Sequence, residues 1–159
     1  MTQSAPRALA IRTGSAEETH AVGAALGRTL PNGAVLSLEG ALGSGKTVLA
    51  RGICAGAGVE TEVTSPTYTL QNIHEAADGR RVVHMDCFRL DGPGELDALG
   101  FSELLDGETL VLLEWGDRVL PALPPDTVRI RLESDGESRR IRILLPAGVH
   151  IRALEGGEL

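Results

Sequence analysis

Ala21, Val22, Ala25 and Leu26 recur on one face of a 3.6-residue period, and Ser15 is followed three residues later by Glu18, as at the start of a capped helix. That pattern predicts a helix over about residues 16–29. Upstream, the apolar-rich Ala8–Thr13 reads as an edge strand. Downstream, Pro31-Asn32-Gly33 makes a turn, and Ala34–Glu39 reads as a strand entering a glycine-rich segment. A second helical stretch, Val48–Ala57, ends at Gly58. Thr69–Glu75 and Arg80–Phe88 read as strands joined around Asp78-Gly79, a hairpin signal. The stretch 91–108 suggests a short helix or two in an exposed connection. Leu110–Trp115 then reads as a buried strand, and 127–133 and 139–145 alternate as a second hairpin about a Ser-Asp-Gly-Glu turn. Strands and helices interleave, which predicts an α/β fold: one mixed sheet flanked by helices, with hairpin additions. The domain is expected over 8–146, with a flexible amino-terminal tail at 1–7 and a carboxyl-terminal tail at 147–159.

With 159 residues the chain can bury one sizeable core. Its net charge of −7 repels phosphate backbones at long range, which disfavours strong direct binding to nucleic acid. The two cysteines, Cys54 and Cys87, lack metal-site spacing and read as reduced thiols of a cytoplasmic protein. No apolar run approaches the roughly 18 residues of a membrane span. The amino-terminal residues also lack the pattern of a secretory signal, so the expected location is cytoplasmic. Of the 15 basic residues only Lys46 is a lysine.

That lysine stands in Gly40-Ala41-Leu42-Gly43-Ser44-Gly45-Lys46-Thr47, a G-x-x-x-x-G-K-T run between a strand-like and a helix-like segment. Glycines permit a tight loop whose N–H groups, with the next helix terminus, hold phosphate oxygens. Lys46 reaches the β- and γ-phosphates, and the Thr47 hydroxyl can ligate Mg²⁺. Such a loop needs a carboxylate at the end of a neighbouring strand. Glu114 and Asp86 both qualify, and periodicity does not rank them. Guanine-specific proteins typically use a second lysine in an Asn/Thr-Lys-x-Asp element, and none exists here, so ATP is the expected nucleotide.

Taken together, the GALGSGKT loop, Ser65–Leu70 (SPTYTL), His84–Leu90 (HMDCFRL) and Glu114-Trp115 resemble the TsaE family, also known as YjeE, from about residue 8 to about residue 146. The resemblance implies a P-loop ATPase of bacterial tRNA threonylcarbamoyladenosine formation, slow by itself. Its partners would be the TsaD–TsaB pair, with TsaC supplying the intermediate and tRNA touched only indirectly. It implies Thr47 and Glu114 as Mg²⁺ ligands and Asp86 as the group that positions or activates water. It implies a switch-like segment at 65–70 with Thr67 near the γ-phosphate, and Ser15 and Thr19 near the adenine. Two positions depart from the family pattern: Phe88 stands where Tyr is usual, and Gly116 where Pro is frequent. A small-molecule kinase and a nucleotide-dependent switch with negligible turnover are the alternative readings.

Arg89 is placed to serve the γ-phosphate or to make a structural ion pair. His84 shares a strand face with Asp86 and reads as a hydrogen-bonded support. His20, His74 and His150 form no metal-ligand pattern. Arg129 and Arg131, and Arg140 and Arg142, read as a solvated strand face, with a basic contact for RNA or an acidic protein as the alternative.

Overall fold

From the amino end come strand β1 (Arg7–Thr13), helix α1 (Ala16–Thr29), strand β2 (Val35–Glu39) and helix α2 (Lys46–Gly56). After them come β3 (Gln71–Glu75), β4 (Arg81–Asp86), α3 (Pro93–Ala98), α4 (Phe101–Leu104) and β5 (Leu110–Glu114). A 3₁₀ segment (Gly116–Ala122), β6 (Val128–Asp135), β7 (Ser138–Leu145) and α5 (Arg152–Glu155) complete the chain. The structure is a computed structural model that describes residues 5–63 and 71–155.

The seven strands form one sheet in the order β1-β7-β6-β2-β5-β4-β3. Its centre is parallel (β6-β2-β5-β4), and the wings are antiparallel. β2, β5 and most of β4 are buried on both faces, which explains why they read as continuous apolar runs rather than as alternation. Leu36, Leu38, Leu110 and Leu112 point to the side covered by α1 and α2; Val35, Val83, Val111 and Leu113 point to the other. By the same alternation Glu114, His84 and Asp86 share the α2 side. Among the described residues, no helix is long and apolar enough to cross a membrane.

Helices α1 and α2 meet backbone to backbone. A Cβ at Gly23 or Gly27 would overlap a carbonyl oxygen of α2, and one at Gly52 or Gly56 would overlap a carbonyl oxygen of α1. Each helix thus carries two glycines four residues apart, one above the other on the contact face.

Three expectations change. The connection at 91–108 is not merely exposed: Leu96, Phe101 and Leu104 are buried and cover the second face of the sheet. Packed residues also lie on either side of 8–146. Arg7 is already in β1, and Ile151 and Leu154 are buried in the core beside α1, with Arg7 bonded to Glu155. The start of α1 also differs from a reciprocal capping box. Ser15 Oγ accepts the Glu18 N–H at 3.2 Å, but Glu18 reaches past Ser15 to accept the Gly14 N–H at 2.6 Å.

Candidate functional site

Residues Gly40–Thr47 leave the carboxyl end of β2 and turn into α2. Gly40, Gly43 and Gly45 have φ of +145°, +78° and +106°, values that L side chains rarely adopt. Gly45 is the N-cap of α2 and supplies no side chain, so the first N–H groups of the helix lack intrahelical acceptors and are open to an anion. Ser44 Oγ is buried in the loop without a hydrogen-bond partner among the described residues. Lys46 Nζ occupies the loop's own carbonyls, donating to Gly40 O at 2.6 Å and Ala41 O at 2.9 Å. It lies 4.0 Å from the centre of the Trp115 ring. Burial lowers the Lys46 pKa, an effect opposed by the charges of Glu114, Asp117 and Asp86.

In-register pairing places Leu38 beside Glu114 and Glu114 beside Asp86, so the ends of β2, β5 and β4 converge on this loop. This is the carboxyl edge of the parallel strands, where open α/β sheets bind ligands. Thr47 Oγ1 donates to Glu114 Oε1 at 3.0 Å, and His84 Nε2 is 2.6 Å from Glu114 Oε2. Burial alone would raise the Glu114 pKa, but bonds to His84 and Thr47 and the nearby Lys46 charge bring it below its usual value. Asp86 Oδ1 accepts the Phe88 N–H at 2.9 Å. Lys46, Thr47, Asp86, Glu114, Arg89 and Arg139 line an open pocket of about 470 Å³. A larger depression, about 670 Å³, lies at the opposite ends of β4 and β5 among Asn32, Asp78 and Asp106. It has no anion-binding loop, so the smaller pocket is the candidate site.

The structure therefore gathers the loop, Asp86 and Glu114, and it brings Glu114 to Thr47. Ser15 Oγ is engaged as the cap of α1. Thr19 is buried, with Oγ1 2.7 Å from Thr13 Oγ1, and its methyl is 3.9 Å from where a Cβ on Gly45 would stand. Thr67, with the whole 65–70 stretch, lies outside the described residues. His84 is the hydrogen-bonded support its strand position implied. Phe88 and Trp115 pack as a tilted pair with centroids 4.9 Å apart, and Trp115 itself has φ of +60°, an uncommon backbone for a bulky residue. Gly116 follows Trp115 against Ser37. A Cβ there would overlap Ser37 Oγ, so this chain has no room for the proline common in the family.

Two site features escaped sequence reasoning. Arg139, at the start of β7, sits over the loop 3.4 Å from Gly43 O, on the opposite face from Arg140 and Arg142. Glu39, at the end of β2, is buried and takes two bonds from Arg129, at 2.8 and 3.2 Å, with Arg131 3.6 Å away. Two of the four arginines read as a solvated face therefore pair with the strand that feeds the loop. Among the described residues, no three His, Cys, Asp or Glu side chains cluster as a ready-made metal site.

The family profile described as threonylcarbamoyl adenosine biosynthesis protein TsaE matches residues 13–142. The chain belongs to the TsaE family. It is 38% identical over 127 residues to the tRNA threonylcarbamoyladenosine biosynthesis protein TsaE of Treponema pallidum, covering 79% of this chain and 92% of that one. It is 40% identical over 125 residues to TsaE of Mycobacterium leprae, covering 74% and 77%. The fold matches the crystal structure of Bacillus subtilis YdiB with a TM-score of 0.75 at 28% identity, over 96% of this chain and 94% of that one. The TsaE family takes part in tRNA threonylcarbamoyladenosine biosynthesis, and every element around the glycine loop falls inside the matched span.

Proposed function

We propose that this chain is a Mg²⁺-dependent P-loop ATPase of the cytoplasm, slow alone, that supports a TsaD–TsaB pair in forming threonylcarbamoyladenosine in tRNA. The observation that carries the reading is the Thr47–Glu114 hydrogen bond at the mouth of a glycine loop that already holds an ammonium group.

The residues suit the ligands. Oxygen donors from one hydroxyl and two carboxylates match the hard, oxygen-seeking Mg²⁺, and a glycine loop leading into a helix N-terminus matches phosphate. Thr47 and Glu114 would hold the metal, which when bound neutralises charge across the β- and γ-phosphates. Lys46 exchanges the carbonyls of Gly40 and Ala41 for phosphate oxygens, keeping its donors satisfied as it moves. Asp86, on the neighbouring strand and the same face, orients the attacking water and accepts its proton. Arg89 and Arg139 line the pocket and add positive charge there. Tightly packed strand ends fix the carboxylates, so positioning supplies most of the effect.

The test is phosphate release from the purified chain alone and with TsaD–TsaB, beside binding to that pair with ATP, ADP and no nucleotide. ATP turnover raised by the pair, with nucleotide-dependent affinity, is expected. Phosphate transfer to a small acceptor instead would establish the kinase alternative, and tight binding without turnover the switch.

A further inference from the structure

His84 is fully buried, on the α2 side of β4: Nε2 lies 2.6 Å from Glu114 Oε2, while Nδ1 is buried with no hydrogen-bond partner among the described residues. A carboxylate only accepts, so the ring donates from Nε2 to Glu114. Cα pairing of His84 with Leu112, and of Asp86 with Glu114, sets this histidine one step behind the acid on the adjacent strand. With Oε2 held by His84 and Oε1 by Thr47, both oxygens of Glu114 are directed, and only Oε1 faces the loop hydroxyl.

We propose that His84 is a positioning residue: it locks the Glu114 carboxylate by one oxygen, so that the other is presented beside Thr47 to the metal of the bound nucleotide. The role rests on the Mg²⁺-nucleotide reading above. It extends that reading to a side chain that touches neither nucleotide nor metal. Without the lock, the carboxylate is free to turn about its own axis, and metal binding bears the entropy of fixing it. Partners that orient a metal's ligands typically set affinity by 10–100-fold.

Two variants test this. His84→Leu keeps the buried volume and removes the donor. His84→Gln returns an amide N–H in place of the Nε2–H. In crystals without nucleotide, Glu114 should leave Thr47 in His84→Leu and stay in His84→Gln. In solution, the Mg²⁺ midpoint for binding a fluorescent ATP analogue should rise about tenfold in His84→Leu. It should return to within about threefold in His84→Gln, with metal-free binding of the analogue unchanged in both. Thermal unfolding shows that each variant is folded, and a purely structural role would move melting temperature without moving the Mg²⁺ midpoint. Glu114 remaining on Thr47 in His84→Leu, or an unshifted Mg²⁺ midpoint in that variant, overturns the proposal. Should the wild type bind no nucleotide at any Mg²⁺ concentration, the ATP reading falls, while a displaced Glu114 in the His84→Leu crystal still bears out the lock.

Discussion

Gly52 of α2 lies so close to His20 of α1 that a Cβ at residue 52 would overlap the His20 carbonyl oxygen and stand 3.0 Å from its carbon. Gly23, Gly27 and Gly56 repeat the arrangement along the same contact. At these four positions the helix that begins at Lys46 is seated backbone to backbone on α1.

Gly52→Ala is expected to destabilise the fold, although alanine is the better helix former by about 1 kcal/mol. The obstacle is backbone, which moves only if the helices separate, and such overpacking costs about 1–3 kcal/mol. The denaturation midpoint in urea should fall. A rise would show that the helices part without cost.

Lys46→Ala should abolish detectable ATP binding while the protein stays folded. Lys46 also rests on Trp115 and bonds two loop carbonyls, so the substitution is expected to cost up to about 1 kcal/mol of stability through the lost cation–π contact. Calorimetric titration with ATP and far-ultraviolet circular dichroism separate the two effects. ATP affinity surviving in the folded variant would remove the phosphate assignment.

Glu114→Gln and Asp86→Asn should fail in different ways. Glu114 is bonded to Thr47 and should set the Mg²⁺ requirement for binding. Asp86 should set kcat with little change in affinity. Metal titration of binding and of phosphate release distinguishes them, and the reverse pattern exchanges their roles.

Arg139→Ala should weaken ATP binding severalfold and leave thermal stability near the wild type, because the guanidinium spans the pocket's rim rather than a core. Inorganic tripolyphosphate, measured in parallel, reports which part of the ligand it meets. Equal losses for both place it on phosphate; a loss for ATP alone places it on the nucleoside. No loss for either ligand contradicts the prediction.

Cys54 and Cys87 are buried, and burial pushes each thiol up from 9.0 to about 12, with the Asp86 and Asp117 charges adding to the effect at Cys87. Both should resist thiol reagents at pH 8 until the protein unfolds. A raised pKa means the folded state holds these protons more tightly. The resulting stability is complete below pH 9 and is lost as the pH climbs towards 12. Alkaline unfolding followed by circular dichroism checks the sign, and rapid labelling of the native protein would contradict the burial.

Local features were readable from sequence and non-local ones were not. Helix α1 was visible because its apolar face repeats every turn and Ser15 marks its start, and the loop was visible because its glycines and lysine are contiguous. Glu114 and Asp86 were nameable as strand-end acids, but their order relative to Thr47 depends on β2, β5 and β4 lying side by side, which no periodicity encodes. The Glu39–Arg129 pair crosses 90 positions, and from sequence Arg129 reads only as part of a solvated strand face. The paired glycines of α1 and α2 stood in plain view at four-residue spacing, yet in isolation each reads only as a helix weakener.

The strand that feeds the glycine loop sits at the sheet's centre, and its partners come late. Leu36 pairs with Leu112 and Val128, 76 and 92 positions further along. A chain leaving the ribosome thus displays the complete glycine loop while neither flanking strand has been made. Closing those long intervals costs entropy before any pairing repays it. We expect any nucleotide affinity to arise only once the carboxyl-terminal hairpin has emerged, so that binding would report the pairing of β2 with β5 and β6. Nascent chains arrested before residue 128 should then bind no nucleotide, whereas chains arrested with β7 outside the exit tunnel should.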